Sequence, residues 1–168
     1  MLGVDIKKPK GIGALIWLIP AAVIIVLDQI TKIWVQLSME LYETISLTPF
    51  LNIRYLVNPG AAFSFLADAG GWQRWLFTVL ASVVSLAIIA WLWYLPRKGE
   101  GRLAAGLAFI LGGAVGNLID RIAYGHVVDF IDVFYGDWHW PAFNVADSAI
   151  TIGAILVIID SFWPRQRA

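Results

Sequence analysis

The stretch VVDFIDVFYGDWHWPAFNVADSAITIGAILVII, residues 127–159, decides how this chain folds. Its second half is an apolar run of membrane-spanning character, yet Asp147 lies inside it. An ionisable side chain in hydrocarbon costs several kcal/mol unless it is paired or faces water, so an intramembrane acid marks a functional site. Asp129 lies upstream, in the more polar part of the same stretch. Brought together, two such carboxyl groups would share a proton, because like charges held close cannot both ionise.

The rest of the chain agrees with a membrane setting. Of its 168 residues 60% are hydrophobic and only 14% charged, against about 25% charged in a soluble domain. So much apolar surface cannot be hidden within one small globule. With no cysteine, disulfides, an iron–sulfur cluster and a thiol nucleophile are excluded. Net charge is zero and no basic stripe accompanies the aromatics, which argues against nucleic acid as a partner. His126 and His139 lack a helical spacing for zinc. Neither a His-Glu-x-x-His, a Gly-x-Ser-x-Gly nor a phosphate loop is present, so no metal or cofactor is expected.

Four stretches, about 13–37, 72–95, 103–122 and 141–163, reach the ~20 residues that a bilayer demands. The reading is an all-α integral membrane protein of one domain, 1–168, with four transmembrane helices. Eight of the twelve basic residues (Lys7, Lys8, Lys10, Arg97, Lys98, Arg102, Arg165 and Arg167) fall on one side of a four-span arrangement. The positive-inside rule then places both termini in the cytoplasm. On the outer side, the alternation of Phe50, Leu51, Ile53, Tyr55 and Val57 before Asn58-Pro59-Gly60 predicts a small β-rich segment over about 40–64. The second outer connection carries Asp129, Asp132 and Asp137, of which Asp132 and Asp137 read as solvated loop acids.

Depth along each span is set by the 1.5 Å rise per residue. Measured from the inner end, Asp28 and Asn117 lie roughly 21 Å up, Asp147 roughly 24 Å and Asp120 roughly 25 Å. Three helices therefore carry polar groups at one level, beneath the outer surface of a core ~30 Å thick. Asp28 and Lys32 are i, i+4, while Asn117 with Asp120 and Asn144 with Asp147 are i, i+3, so each pair shares a helix face. Gly112, Gly113 and Gly116 lie just below and allow close helix approach.

The strings Asp28-Gln29-Ile30-Thr31-Lys32, Asn58-Pro59-Gly60-Ala61-Ala62-Phe63-Ser64, Gly116-Asn117-Leu118-Ile119-Asp120-Arg121 with Val127-Val128-Asp129-Phe130, and Phe143-Asn144-Val145-Ala146-Asp147-Ser148 resemble the sequence blocks of lipoprotein signal peptidase (signal peptidase II). They occur in the family's order. The resemblance implies an aspartic endopeptidase of the bacterial inner membrane, active near the periplasmic face. It would remove the signal peptide of prolipoproteins just before a diacylglyceryl-modified cysteine. By the match, Asp129 and Asp147 are the catalytic pair, and Asp28, Lys32, Asn58, Gly60, Asn117, Asp120, Arg121 and Asn144 form the supporting polar shell. The same resemblance implies a monomer amid membrane lipid, with the family inhibitor globomycin binding at the aspartate pair.

Other readings of the residues stay open at this point. Asp120 competes with Asp129 for the second catalytic place, although Asp120 beside Arg121 suits a structural ion pair. Asp28 and Lys32 either neutralise one another or grip substrate. The alternative function is a small proton- or ion-coupled carrier using the intramembrane aspartates, although no internal repeat is visible and the polar level is off the midplane.

Overall fold

The computed structural model describes residues 14–60, 71–96 and 99–162. Lys7, Lys8, Lys10, Arg97, Lys98, Arg165 and Arg167, on which the orientation rests, lie outside the described residues, as do residues 61–64 of the expected β-rich segment. After a short 3-10 turn (Leu15–Trp17) come α1 (Leu18–Ser38), β1 (Thr44–Thr48), β2 (Leu51–Asn58), α2 (Trp72–Tyr94), α3 (Gly101–Ala123), β3 (Val127–Tyr135), β4 (Trp138–His139) and α4 (Val145–Phe162). All four helices are long and apolar enough to cross a membrane.

Local chemistry sets the helix ends. Leu95 is extended at the end of α2, as the residue before Pro96 should be. Beyond α3, Gly125 takes a φ of 84°, and Arg74 donates from Nε to the Arg121 carbonyl at 3.0 Å and from Nη2 to that of Ile122 at 3.3 Å. These bonds satisfy carbonyls that a helix C-terminus leaves open. Asn144 caps α4: its Oδ1 accepts the Asp147 N–H at 2.9 Å.

The bundle is built around α3. Of its apolar segment 67% is buried in protein, against 22%, 17% and 22% for α1, α2 and α4. Small residues make this possible. A Cβ on Gly112 would come within 2.8 Å of Ile24 on α1, and one on Gly113 would collide with the Ala146 carbonyl oxygen on α4. In a bilayer such close packing must supply the helix association that water would otherwise drive. The buried face of α1 reads Ala21, Ile24, Asp28, Lys32 and Val35, a stripe of helical period.

At one end of the bundle lies an antiparallel sheet of order β1-β2-β3-β4. The connection carrying Asp129 is therefore not a loop: β3 pairs along the expected β-rich segment, with Asn52 opposite Asp132 and Leu56 opposite Asp129. Asp132 is only 2% exposed, which corrects the reading of it as solvated, whereas Asp137 is exposed. Val35, Met39, Val128 and Phe130 form the small core that fastens the sheet to α1. α4 starts at Val145, later than the expected 141, because Phe143 bridges to Ile131 of β3.

Candidate active site

The level at which sheet meets bundle holds a continuous polar network. At its base is Lys32, 2% exposed, whose Nζ lies 2.8 Å from Asp28 Oδ2 and 2.9 Å from Asp120 Oδ2. Its third N–H goes to Asn117 Oδ1 at 2.8 Å. Asp28 accepts from the Ala146 N–H at 2.9 Å, which ties α1 to the first turn of α4. Asp120 accepts from the Val128 N–H at 3.3 Å and so ties α3 to β3. Asp28 and Lys32 thus do pair with one another, within a three-helix junction that also takes in Asp120 and Asn117.

Asp120 pairs with Lys32 rather than with Arg121, which corrects the expected ion pair between neighbours. Arg121 instead donates to the Asn117 carbonyl at 3.3 Å, and its guanidinium lies 5.4 Å from the centroid of the Phe77 ring. Gln29 belongs to the network without having been singled out by its sequence. Its Nε2 donates to Asp120 Oδ1 at 2.9 Å and to the Gly116 carbonyl at 3.2 Å. The signal available was its place in the string Asp28-Gln29, one position off the acidic face.

Above the base, three asparagines hold the two remaining acids. Asn117 Nδ2 donates to Asp147 Oδ1 at 2.8 Å. Asn144 Nδ2 donates to Asp129 Oδ1 at 2.7 Å, and Asn58 Nδ2 to Asp129 Oδ2 at 3.0 Å. Each amide is held one way round. Asn117 Oδ1 faces Lys32, Asn144 Oδ1 faces the Asp147 N–H, and Asn58 Oδ1 takes the Gly60 N–H at 2.9 Å. Every amide nitrogen therefore points at a carboxylate.

Asp129 on β3 and Asp147 on α4 line one cavity of about 640 Å³ together with Asn58, Gly60 and Arg121. Asp120 does not line it. Phe77, Trp140, Phe143 and Ile152 give the cavity an apolar wall; of these only Phe143 stands in one of the family-like strings. Asp129 is 4% exposed. Its burial, and then the nearby Asp147 charge, push its carboxyl up to about 7 against the bonds from Asn58 and Asn144. Near neutral pH this group can both hold and release a proton. Among the described residues no group of three or more His, Cys, Asp or Glu is placed to hold a metal ion.

Comparison with known proteins agrees with this architecture. The chain is 50% identical over 151 residues to the lipoprotein signal peptidase of Hydrogenovibrio crunogenus, covering 90% of this chain and 86% of that one. It is 54% identical over 153 residues to the lipoprotein signal peptidase of Acinetobacter baumannii, covering 91% and 86%. A bacterial membrane enzyme solved by the in meso method at 2.3 Å resolution superposes with a TM-score of 0.75 at 29% identity, covering 91% of this chain and 93% of that one. Residues 20–163 match the family described as Signal peptidase (SPase) II. With that match spanning most of its length, the chain belongs to the signal peptidase II family.

Proposed function

We propose that this protein is an aspartic-type endopeptidase that removes the signal peptide from diacylglyceryl-modified prolipoproteins, with Asp129 and Asp147 as its catalytic pair. One observation carries the reading: two acids from different elements open onto a single cavity, while Asp28 and Asp120 below them are tied to Lys32. One ionised carboxylate takes a proton from water as the oxygen attacks the scissile carbonyl carbon. Its protonated neighbour donates to the carbonyl oxygen. Collapse of the tetrahedral intermediate breaks the C–N bond, and the departing nitrogen takes a proton from the pair. The pair titrates as a unit. Asn58, Asn117 and Asn144 keep the carboxyl groups oriented, and Arg121, which lines the same cavity, is available to bind a substrate carbonyl.

The apolar wall supports a lipidated substrate. Ile152 lines the cavity and is 47% exposed on the surface of α4, so an acyl chain beside the cavity stays in hydrocarbon. The positive-inside count supports both termini in the cytoplasm and cleavage near the periplasmic face of the inner membrane. We also expect globomycin to bind at the aspartate pair of a monomeric single domain. The test is cleavage of a diacylglyceryl-modified prolipoprotein by purified Asp129→Asn and Asp147→Asn. Each variant inserts and folds, and each loses at least about a thousandfold in turnover. A double variant that cleaves at a near-normal rate removes the assignment.

A further inference from the structure

One side chain from each strand forms a polar rung across the sheet. Ser46 of β1 donates from Oγ to Asn52 Oδ1 at 2.8 Å, and Asn52 of β2 donates from Nδ2 to Asp132 Oδ2 at 3.0 Å. His139 of β4 meets the other oxygen of Asp132, Oδ1, from Nδ1 at 2.8 Å. Burial raises the Asp132 carboxyl, but the bonds from Asn52 and His139 outweigh it and hold the group below its usual range. Asp132 is therefore an acceptor only, and Nδ1 of His139 carries the proton between them. The Phe134 ring stacks on the imidazole with centroids 5.2 Å apart. None of these residues lines the cavity.

The cavity wall begins immediately after His139. Trp140, Pro141, Ala142 and Phe143 all line the cavity, and the segment returns alongside β3. The Trp140 N–H donates to the Val133 carbonyl at 2.8 Å, and the Phe143 N–H to that of Ile131 at 3.1 Å. Between those bonds Pro141 has no N–H to contribute. β4 itself is two exposed residues, Trp138–His139, too short to fix the segment by its own ladder. The Phe143 carbonyl also accepts from the Phe130 N–H at 3.0 Å and the Ile131 N–H at 2.8 Å, and the buried end of the rung adds a side-chain anchor at His139, next to the wall's first residue.

We propose that the Ser46–Asn52–Asp132–His139 rung positions the 140–143 wall, so that Asp132 and His139 set the affinity for the apolar peptide segment lying against that wall without taking part in bond cleavage. This rests on the peptidase reading. The test uses the full chain in detergent, with His139→Ala, Asp132→Asn and His139→Gln, whose amide can still donate to Asp132. Two quantities are read: hydrogen exchange at the Trp140 and Phe143 amides, and steady-state cleavage of a diacylglyceryl-modified prolipoprotein. In His139→Ala and Asp132→Asn, exchange quickens about tenfold and KM rises about tenfold, while kcat stays within about twofold. His139→Gln returns both toward the parent values. Unchanged exchange, an unchanged KM, a fall carried by kcat, or failure of His139→Gln to rescue each overturns the proposal. If the parent chain does not cleave the prolipoprotein, the peptidase reading fails, while the exchange data still decide whether the rung holds the wall.

Discussion

Replacing Lys32 by Met keeps the length of the side chain and removes its charge. Lys32 has three N–H donors, and all three are engaged, by Asp28 at 2.8 Å, Asp120 at 2.9 Å and Asn117 Oδ1 at 2.8 Å. Asp28 is 0% exposed and Asp120 1%, so the variant leaves two carboxyl groups inside the bundle without their cation. Removing one member of a buried ion pair costs about 3–5 kcal/mol. At roughly 2–4 °C per kcal/mol for a chain of this size, Tm falls by roughly 6–20 °C. A second effect arises at Asn117. Without Lys32 its Oδ1 keeps only the longer bond from Asn144 Nδ2 at 3.3 Å, so the amide is held less firmly toward Asp147 and turnover of lipidated prolipoprotein falls by about tenfold or more. Both are measured on protein in one detergent, by thermal unfolding and by steady-state cleavage. Adding Asp120→Asn removes one stranded charge and restores part of Tm. A Lys32→Met protein melting within roughly 2 °C of its parent refutes the reasoning, as does a double variant less stable than the single one.

The geometry dictates two further outcomes. Asp129 has a carboxyl raised to about 7 in the folded protein against 3.8 unperturbed. The folded state thus holds this proton more tightly, so the group's stabilising contribution is complete below about pH 4 and is lost as pH rises through about 7. In the same window log kcat/KM for the lipidated substrate declines above about pH 7 with unit slope as the pair loses its shared proton; a flat profile from about pH 6 to 9 contradicts this. Separately, Gly113→Ala places a methyl group against the Ala146 carbonyl and 2.7 Å from Ile150 Cγ1, forcing α3 and α4 apart. It costs about 1–3 kcal/mol in melting experiments, whereas Gly101→Ala, whose nearest new neighbour is Trp17 at 3.9 Å, is close to neutral. Equal melting of the two variants contradicts the close-packing account.

The helices and the convergence of their polar residues at one level are legible in the sequence because hydrocarbon imposes a length and an unbroken apolar composition, and few other arrangements satisfy both. α2, at Trp72–Tyr94, differs from the expected 72–95 by one residue. β3 is not legible as a strand. Asp129 and Asp132 interrupt its apolar run three positions apart, out of step with the two-residue period of a strand with one wet face, and Val127 through Phe130 are buried on both faces. Distant residues make both acids tolerable: Asn58 for Asp129, Asn52 for Asp132. The same distance hides the partner of Asp120. Its adjacent Arg121 suggests an ion pair, but Lys32, 88 positions earlier in the chain, has the geometry that buries it. On the cavity wall Phe77, Trp140 and Ile152 have no signature either, since the chain is rich in similar residues throughout.

The uneven burial of the four helices has a consequence for how this protein tolerates change. An outer helix such as α2, mostly surrounded by lipid, can trade one aliphatic residue for another with little effect, since the surrounding fluid adapts to the new shape. α3 has much less freedom, because 67% of its apolar segment is buried against backbone and fixed side chains. A complete substitution scan would therefore be lopsided, with intolerance gathered along a central axle and, on the staves around it, confined to the narrow inward stripes that carry Asp28, Lys32 and Asp147.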